Sequence, residues 1–269
     1  MPAMLRWIGI TAAVVYGLVL VSAAVSRDRT PASPAAPASR AAAEPLPQLV
    51  GFAVNVHHVD ELYDYLQAID DLASLGCNAV EIVTPMYQQH GASTEIARPA
   101  DRCPTDRQLR RILRHARRRG LRVNLMPIVL FSEPRGNEWR GKIEPDDWND
   151  WWVAYVRAML HFADLAELEG VDVLCVGSEL LSTERQGERW ADLIDRVRRR
   201  FTGRLAYSTN WDHYAAPTFW SHVDLVGINS YWRITGDVEA PMSAMVERWR
   251  EIRRQVLAFS ERVDRPVLF

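Results

Sequence analysis

From Leu49 to Phe269, short apolar runs alternate with longer runs whose apolar residues recur every three or four positions. A short apolar run bounded by turn residues predicts a buried strand. The longer period predicts an amphipathic helix. Seven strands are predicted: Leu49–His57, Cys77–Pro85, Leu121–Leu130, Val171–Ser178, Arg204–Asn210, Val223–Tyr231 and Arg265–Phe269. Helices are predicted over Asp60–Gly76, Thr105–Gly120, Pro145–Gly170, Glu188–Gly203 and Met242–Val263. Their ends carry signals of their own. Thr105 with Gln108 forms a capping-box pattern, Pro145 opens an acidic first turn, and glycine closes four of the five.

Strand and helix in alternation predict parallel strands joined by crossover helices. A doubly wound sheet would carry its ligand at one crevice, often behind a glycine-rich turn. No G-x-G-x-x-G follows the first strand. Polar and aromatic residues instead stand at the C-terminal ends of several strands: His57, then Gln88 and Gln89, Glu179, Asn210 with Trp211 and Asp212, and Asn229 with Tyr231 and Trp232. That distribution predicts an α/β fold of the (β/α)8 TIM-barrel type, whose function sits on many strand ends.

The start of the chain has a different pattern. Trp7 to Val25 is apolar and uncharged, with Arg6 before it. About 19 such residues suit either a signal peptide or a membrane anchor. Residues 1–25 are therefore expected to be one or the other, and the protein to be exported, either secreted or anchored to the cell membrane. Residues 26–48 are Ala-, Pro- and Ser-rich without apolar periodicity, which predicts a linker. The folded domain is then residues 49–269.

Composition adds mostly exclusions. The 269 residues are 48% hydrophobic and 25% charged, with a net charge of -2, so no global field favours nucleic acid. The basic runs in 110–120 and 196–201 fall on predicted outer helices and read as solvated faces. Cys77, Cys103 and Cys175 are too few for a disulfide scaffold and read as free thiols. His57, His58, His90 and His213 show no H-x-H or H-E-x-x-H spacing, so neither metal nor cofactor is expected.

The candidate chemistry starts at Glu179, which follows an apolar strand. Alternation within Val171–Ser178 puts Val173, Cys175 and Gly177 on one face, and Glu179 continues it. A partly desolvated carboxylate at a barrel mouth is a usable proton donor. Trp211, Trp232 and Tyr231 stand at adjacent strand ends with Asn210 and Asn229. Flat rings beside amides suit a sugar, which has C–H faces and hydroxyl edges. Trp139 and Arg140, in the loop after the third strand, are candidates to cover the site, and Gln88 is a further candidate contact. Trp148, Trp151, Trp152, Trp190 and Trp249 fall on helices and are expected to pack against the barrel.

Six stretches in order, TPMYQQ, EWRGKIEP, VGSELLS, YSTNWD, VGINSYW and RPVLF, resemble glycoside hydrolase family 113 of the clan A barrels. Characterised members of that family are retaining β-mannanases. The resemblance implies that Glu179 is the general acid/base and that Tyr231 is the tyrosine placed near the nucleophile. It also implies that Asn210, Trp211 and Trp232 contact a polysaccharide or oligosaccharide substrate. Ser178 departs from the clan, which often has Asn before the acid/base. In the clan the nucleophilic Glu ends the seventh strand. Here that strand starts at Arg265, so the nucleophile is expected just beyond Phe269. The barrel is expected to be C-terminally incomplete, with about seven strands, and the chain as given to be inactive. The alternative is a non-catalytic carbohydrate-binding barrel.

Overall fold

The computed structural model describes residues 17–19 and 47–269. The predicted leader and linker lie outside the described residues, apart from the short piece at 17–19 and the linker's last two residues. Among the described residues, no helix is long and apolar enough to cross a membrane.

Among the described residues, seven parallel strands form one curled sheet: β2 (Val50–Asn55), β3 (Ala79–Gln88), β4 (Arg122–Phe131), β5 (Val173–Ser178), β6 (Arg204–Asn210), β7 (Leu225–Asn229) and β8 (Val267–Leu268). Their spatial order is their chain order, as in a barrel and unlike a doubly wound sheet. The result is an incomplete (β/α)8 barrel. A three-residue strand, β1 (Gly17–Val19), pairs antiparallel with β2 at one edge.

Among the described residues, five α-helices pack outside: α1 (Leu62–Ser74), α2 (Asp106–Arg118), α3 (Trp148–Glu169), α4 (Gly187–Arg198) and α5 (Met242–Val263). The capping box at Thr105 and Gln108 forms as the sequence predicts. Helix α3 starts later than predicted. Asp147 rather than Pro145 marks its beginning, because the Asp147 carboxylate accepts from the Asn149 and Asp150 amides. Gly170 then closes α3 in the left-handed region, at φ 63°. Between β6 and β7 only the short 3-10 turn Trp220–His222 intervenes.

Alternation along each strand divides the apolar residues into two layers. Outward positions such as Ile82, Leu125, Leu174, Tyr207 and Val226 join the helices in one large core. The helix tryptophans Trp151, Trp152 and Trp190 are buried in it, as their helical spacing predicts. Inward positions form smaller clusters, notably Val83, Met126, Ile128 and Cys175. Gly51 is needed where β2 meets β3, since a Cβ there would lie 1.9 Å from the Ala79 carbonyl oxygen. Cys103 and Cys175 are buried free thiols, and Cys77 is a partly buried one.

Candidate active site

Glu179 stands at the C-terminal end of β5, buried at 6% exposure. It does not get there by simple alternation. Parallel pairing of β5 with β6 runs in step to Cys175 opposite Ala206, then resumes at Ser178 opposite Ser208. Three residues on β5 thus span two on β6, which is a bulge. The bulge reverses the facing beyond it. Gly177, expected inside, turns outward, where a Cβ would lie 2.6 Å from Trp190 and 3.1 Å from the Tyr155 hydroxyl. Glu179 itself adopts φ 53°, in the left-handed region that non-glycine residues rarely visit. Its amide donates to the Ser208 carbonyl at 2.8 Å. Together, the bulge and this turn carry the carboxylate back over the mouth.

Both carboxylate oxygens are held. Arg140 Nη2 donates to Oε2 at 2.5 Å, and Asn229 Nδ2 donates to Oε1 at 2.6 Å. Arg140 also bonds the Ser178 carbonyl through Nε at 3.2 Å. Asn229 is fixed in turn, accepting from the Ser208 hydroxyl at 3.0 Å. A buried carboxylate needs such partners. Nearby, the Ser178 hydroxyl and His57 Nε2 are buried and have no partner among the described residues. Burial lowers the pKa of His57 below the ordinary imidazole value, and the charges of His58 and Arg140 lower it further.

The other sequence candidates separate into two groups. Trp211 and Trp232 meet edge-to-face, with ring centroids 6.1 Å apart, on the loops after β6 and β7. Asn210 ends β6 and pairs in register with Asn229. Both loops leave the C-terminal ends of their strands, the end of the sheet at which Glu179 follows β5, and Trp232 lines a cleft there with Ser230, Ile234 and Trp249. Trp139 precedes Arg140, with its indole folded over Gly141, where a Cβ would lie 2.5 Å from the ring. Tyr231 is 56% exposed on the turn after β7, where its amide donates to the Asn229 carbonyl at 2.9 Å. Gln88 is fully buried and committed to holding the loop after β3. Its amide nitrogen donates to the carbonyls of His90, Gly91 and Ser93, and its oxygen accepts from Trp151 Nε1.

The sequence reading passed over Glu184, which is fully buried at 0% exposure. It accepts from the Tyr207 hydroxyl at 2.9 Å, the Thr209 hydroxyl at 3.0 Å and His213 Nδ1 at 2.7 Å. Burial raises its pKa above the ordinary carboxylate value, against the lowering effect of those three bonds. The available signal was an acid five residues after Glu179, too weak to separate from a surface charge.

Comparisons with known proteins follow the same outline. None of the curated proteins matches the chain. The solved complex of a family 113 β-1,4-mannanase superposes with TM-score 0.66 at 22% identity. That match covers 77% of this chain and 64% of the other, so the chain spans a little under two thirds of that relative's length. The β-mannanase of Alicyclobacillus acidocaldarius, in complex with ManMIm, gives TM-score 0.69 at 24% identity and covers 80% of this chain and 68% of the other. At such identities the superpositions speak for the fold. The family model for Glycoside Hydrolase Family 113 matches residues 61–269, the strand–helix repeats and strand ends described above, and on that match the chain belongs to glycoside hydrolase family 113.

Proposed function

We propose that this protein acts on β-linked polysaccharide or oligosaccharide, with β-mannan as the first candidate, through a site at the C-terminal mouth of the barrel. Glu179 is the general acid/base of a retaining mechanism. The observation that carries the reading is the Glu179 carboxylate, buried at the mouth between Arg140 and Asn229. In its acid form it gives its proton to the glycosidic oxygen as that bond breaks. As the carboxylate it then takes a proton from the attacking water. Trp211 and Trp232 offer aromatic faces to the sugar, and Asn210 offers an amide. The unpartnered Ser178 hydroxyl and His57 Nε2 are available for sugar hydroxyls. Tyr231 lies on the same rim, next in sequence to Trp232, and takes the place of the family tyrosine near the nucleophile.

Retention needs a second carboxylate about 5–5.5 Å from the first. Three of the described acids lie away from that place. Glu81 faces the opposite, N-terminal half of the barrel in register with Asn124, Glu133 is on the exposed loop bonded to Gln89, and Glu184 is held behind β6. We expect residues 47–269 to bind the glycan without completing its cleavage. The test is electrophoresis of the full chain through gels containing β-1,4-mannan, β-glucan or β-galactan, with reducing ends assayed in parallel. Retardation in mannan, kept by Glu179→Gln, supports the reading. Free migration in every gel contradicts it. Release of reducing ends at ordinary enzyme rates would place the nucleophile within this chain.

A further inference from the structure

We propose that Glu184 is a positioning residue that holds the proton donor and the sugar platform in one arrangement. The proposal rests on the reading of Glu179 as that donor. Glu179 occupies a left-handed backbone conformation that costs a non-glycine residue energy and persists only where its surroundings impose it. Two successive amides impose it here, both anchored to β6. The Glu179 N–H donates to the Ser208 carbonyl at 2.8 Å, and the Leu180 N–H donates to the Tyr207 hydroxyl at 3.2 Å.

The second anchor depends on Glu184. The Tyr207 hydroxyl can accept from Leu180 in a fixed direction because it donates onward to Glu184 Oε1 at 2.9 Å. The same oxygen takes the Thr209 hydroxyl at 3.0 Å, from the strand that ends in Asn210. The other oxygen takes His213 Nδ1 at 2.7 Å. His213 lies two residues beyond Trp211, and its amide donates to the Asn210 carbonyl at 2.9 Å. One carboxylate thus ties the turn at Glu179 to the loop bearing Asn210 and Trp211. A buried carboxylate with three donors is costly to disturb, so the two halves cannot drift independently.

The experiment measures amide hydrogen exchange and mannohexaose affinity in the full chain. Tyr207→Phe removes only the relay hydroxyl. It should speed exchange at Leu180 at least tenfold while leaving 210–213 protected. Glu184→Gln should speed exchange at both places and weaken mannohexaose binding at least tenfold. His213→Asn keeps a donor near the place of Nδ1 and should preserve protection and affinity that His213→Ala loses. Wild-type exchange at Leu180 in Tyr207→Phe would overturn the proposal. So would a uniform rise across all strands in Glu184→Gln, which is the mark of a merely structural role. If the wild type binds no mannohexaose, the glycan reading fails, and the exchange measurements still decide the network.

Discussion

At the scale of single residues, the site depends on a departure from regular geometry. Strand alternation alone would aim Gly177 inward and carry Glu179 with it. The bulge turns Gly177 toward Tyr155, Trp190 and Tyr207, and only a residue without a side chain fits there. Gly177→Ala is therefore expected to destabilise the fold by about 1–3 kcal/mol, the usual cost of overpacking a filled core. Denaturant unfolding of the variant beside the wild type measures it, and an unchanged midpoint would refute the packing account. Glu179, Trp211, Asn229 and Trp232 were legible as candidates because strand ends are where barrels place chemistry. The bulge was not legible, since an extra residue in an apolar strand looks like any other. Gln88 shows the converse difficulty. A polar residue at a strand end reads as a ligand contact, whereas here it satisfies loop carbonyls and an indole N–H.

At the scale of elements, helix and strand identities follow closely from periodicity and caps. Thr105 and Gln108 were readable because a capping box has a fixed three-residue spacing. Thr105→Ala removes the oxygen that accepts the Gln108 amide, and it should cost about 1 kcal/mol of stability. A melting curve checks this, and a stability equal to wild type would mean that the cap contributes nothing. Helix α3 was misplaced at its start because Pro145 is a familiar first-turn residue. Asp147 competes better, since its carboxylate satisfies two amides that would otherwise be unpaired. At the other end of α3, Glu169 is buried and bonded by Arg110 and Arg114 of α2. Burial would raise its pKa, but the two guanidinium groups bring it below the ordinary carboxylate value. Arg114 stays 51% exposed while it pairs, and Arg111, Arg117, Arg118 and Arg119 are exposed too, in line with reading the basic run as a solvated helix face.

At the scale of the whole molecule, the curled sheet places Glu81 inside the barrel, in register with Ala53 and Asn124. Burial pushes its carboxyl from 4.5 up to about 7, against a hydrogen bond from Asn124. The folded chain therefore holds this proton where the unfolded chain has lost it. Glu81 contributes most to stability below pH 4.5, and its contribution falls as pH rises toward about 7. Glu81→Gln should flatten that part of the stability profile. Urea midpoints of both proteins at several pH values through this window test it, and parallel profiles would contradict it. The overall architecture was legible because repeated strand–helix units admit few arrangements. The coupling of Glu179 to Glu184 through Tyr207 was not, because it joins residues on two strands that only the fold brings together.

The central claim is that the mouth around Glu179 holds a β-linked sugar chain against Trp211 and Trp232. Titration of the full chain with β-1,4-mannohexaose, followed by tryptophan fluorescence, tests it most directly. The account predicts a saturable change, and a loss of affinity of at least tenfold in Trp211→Ala. No saturable change in the wild type, or equal affinity in Trp211→Ala, would contradict it.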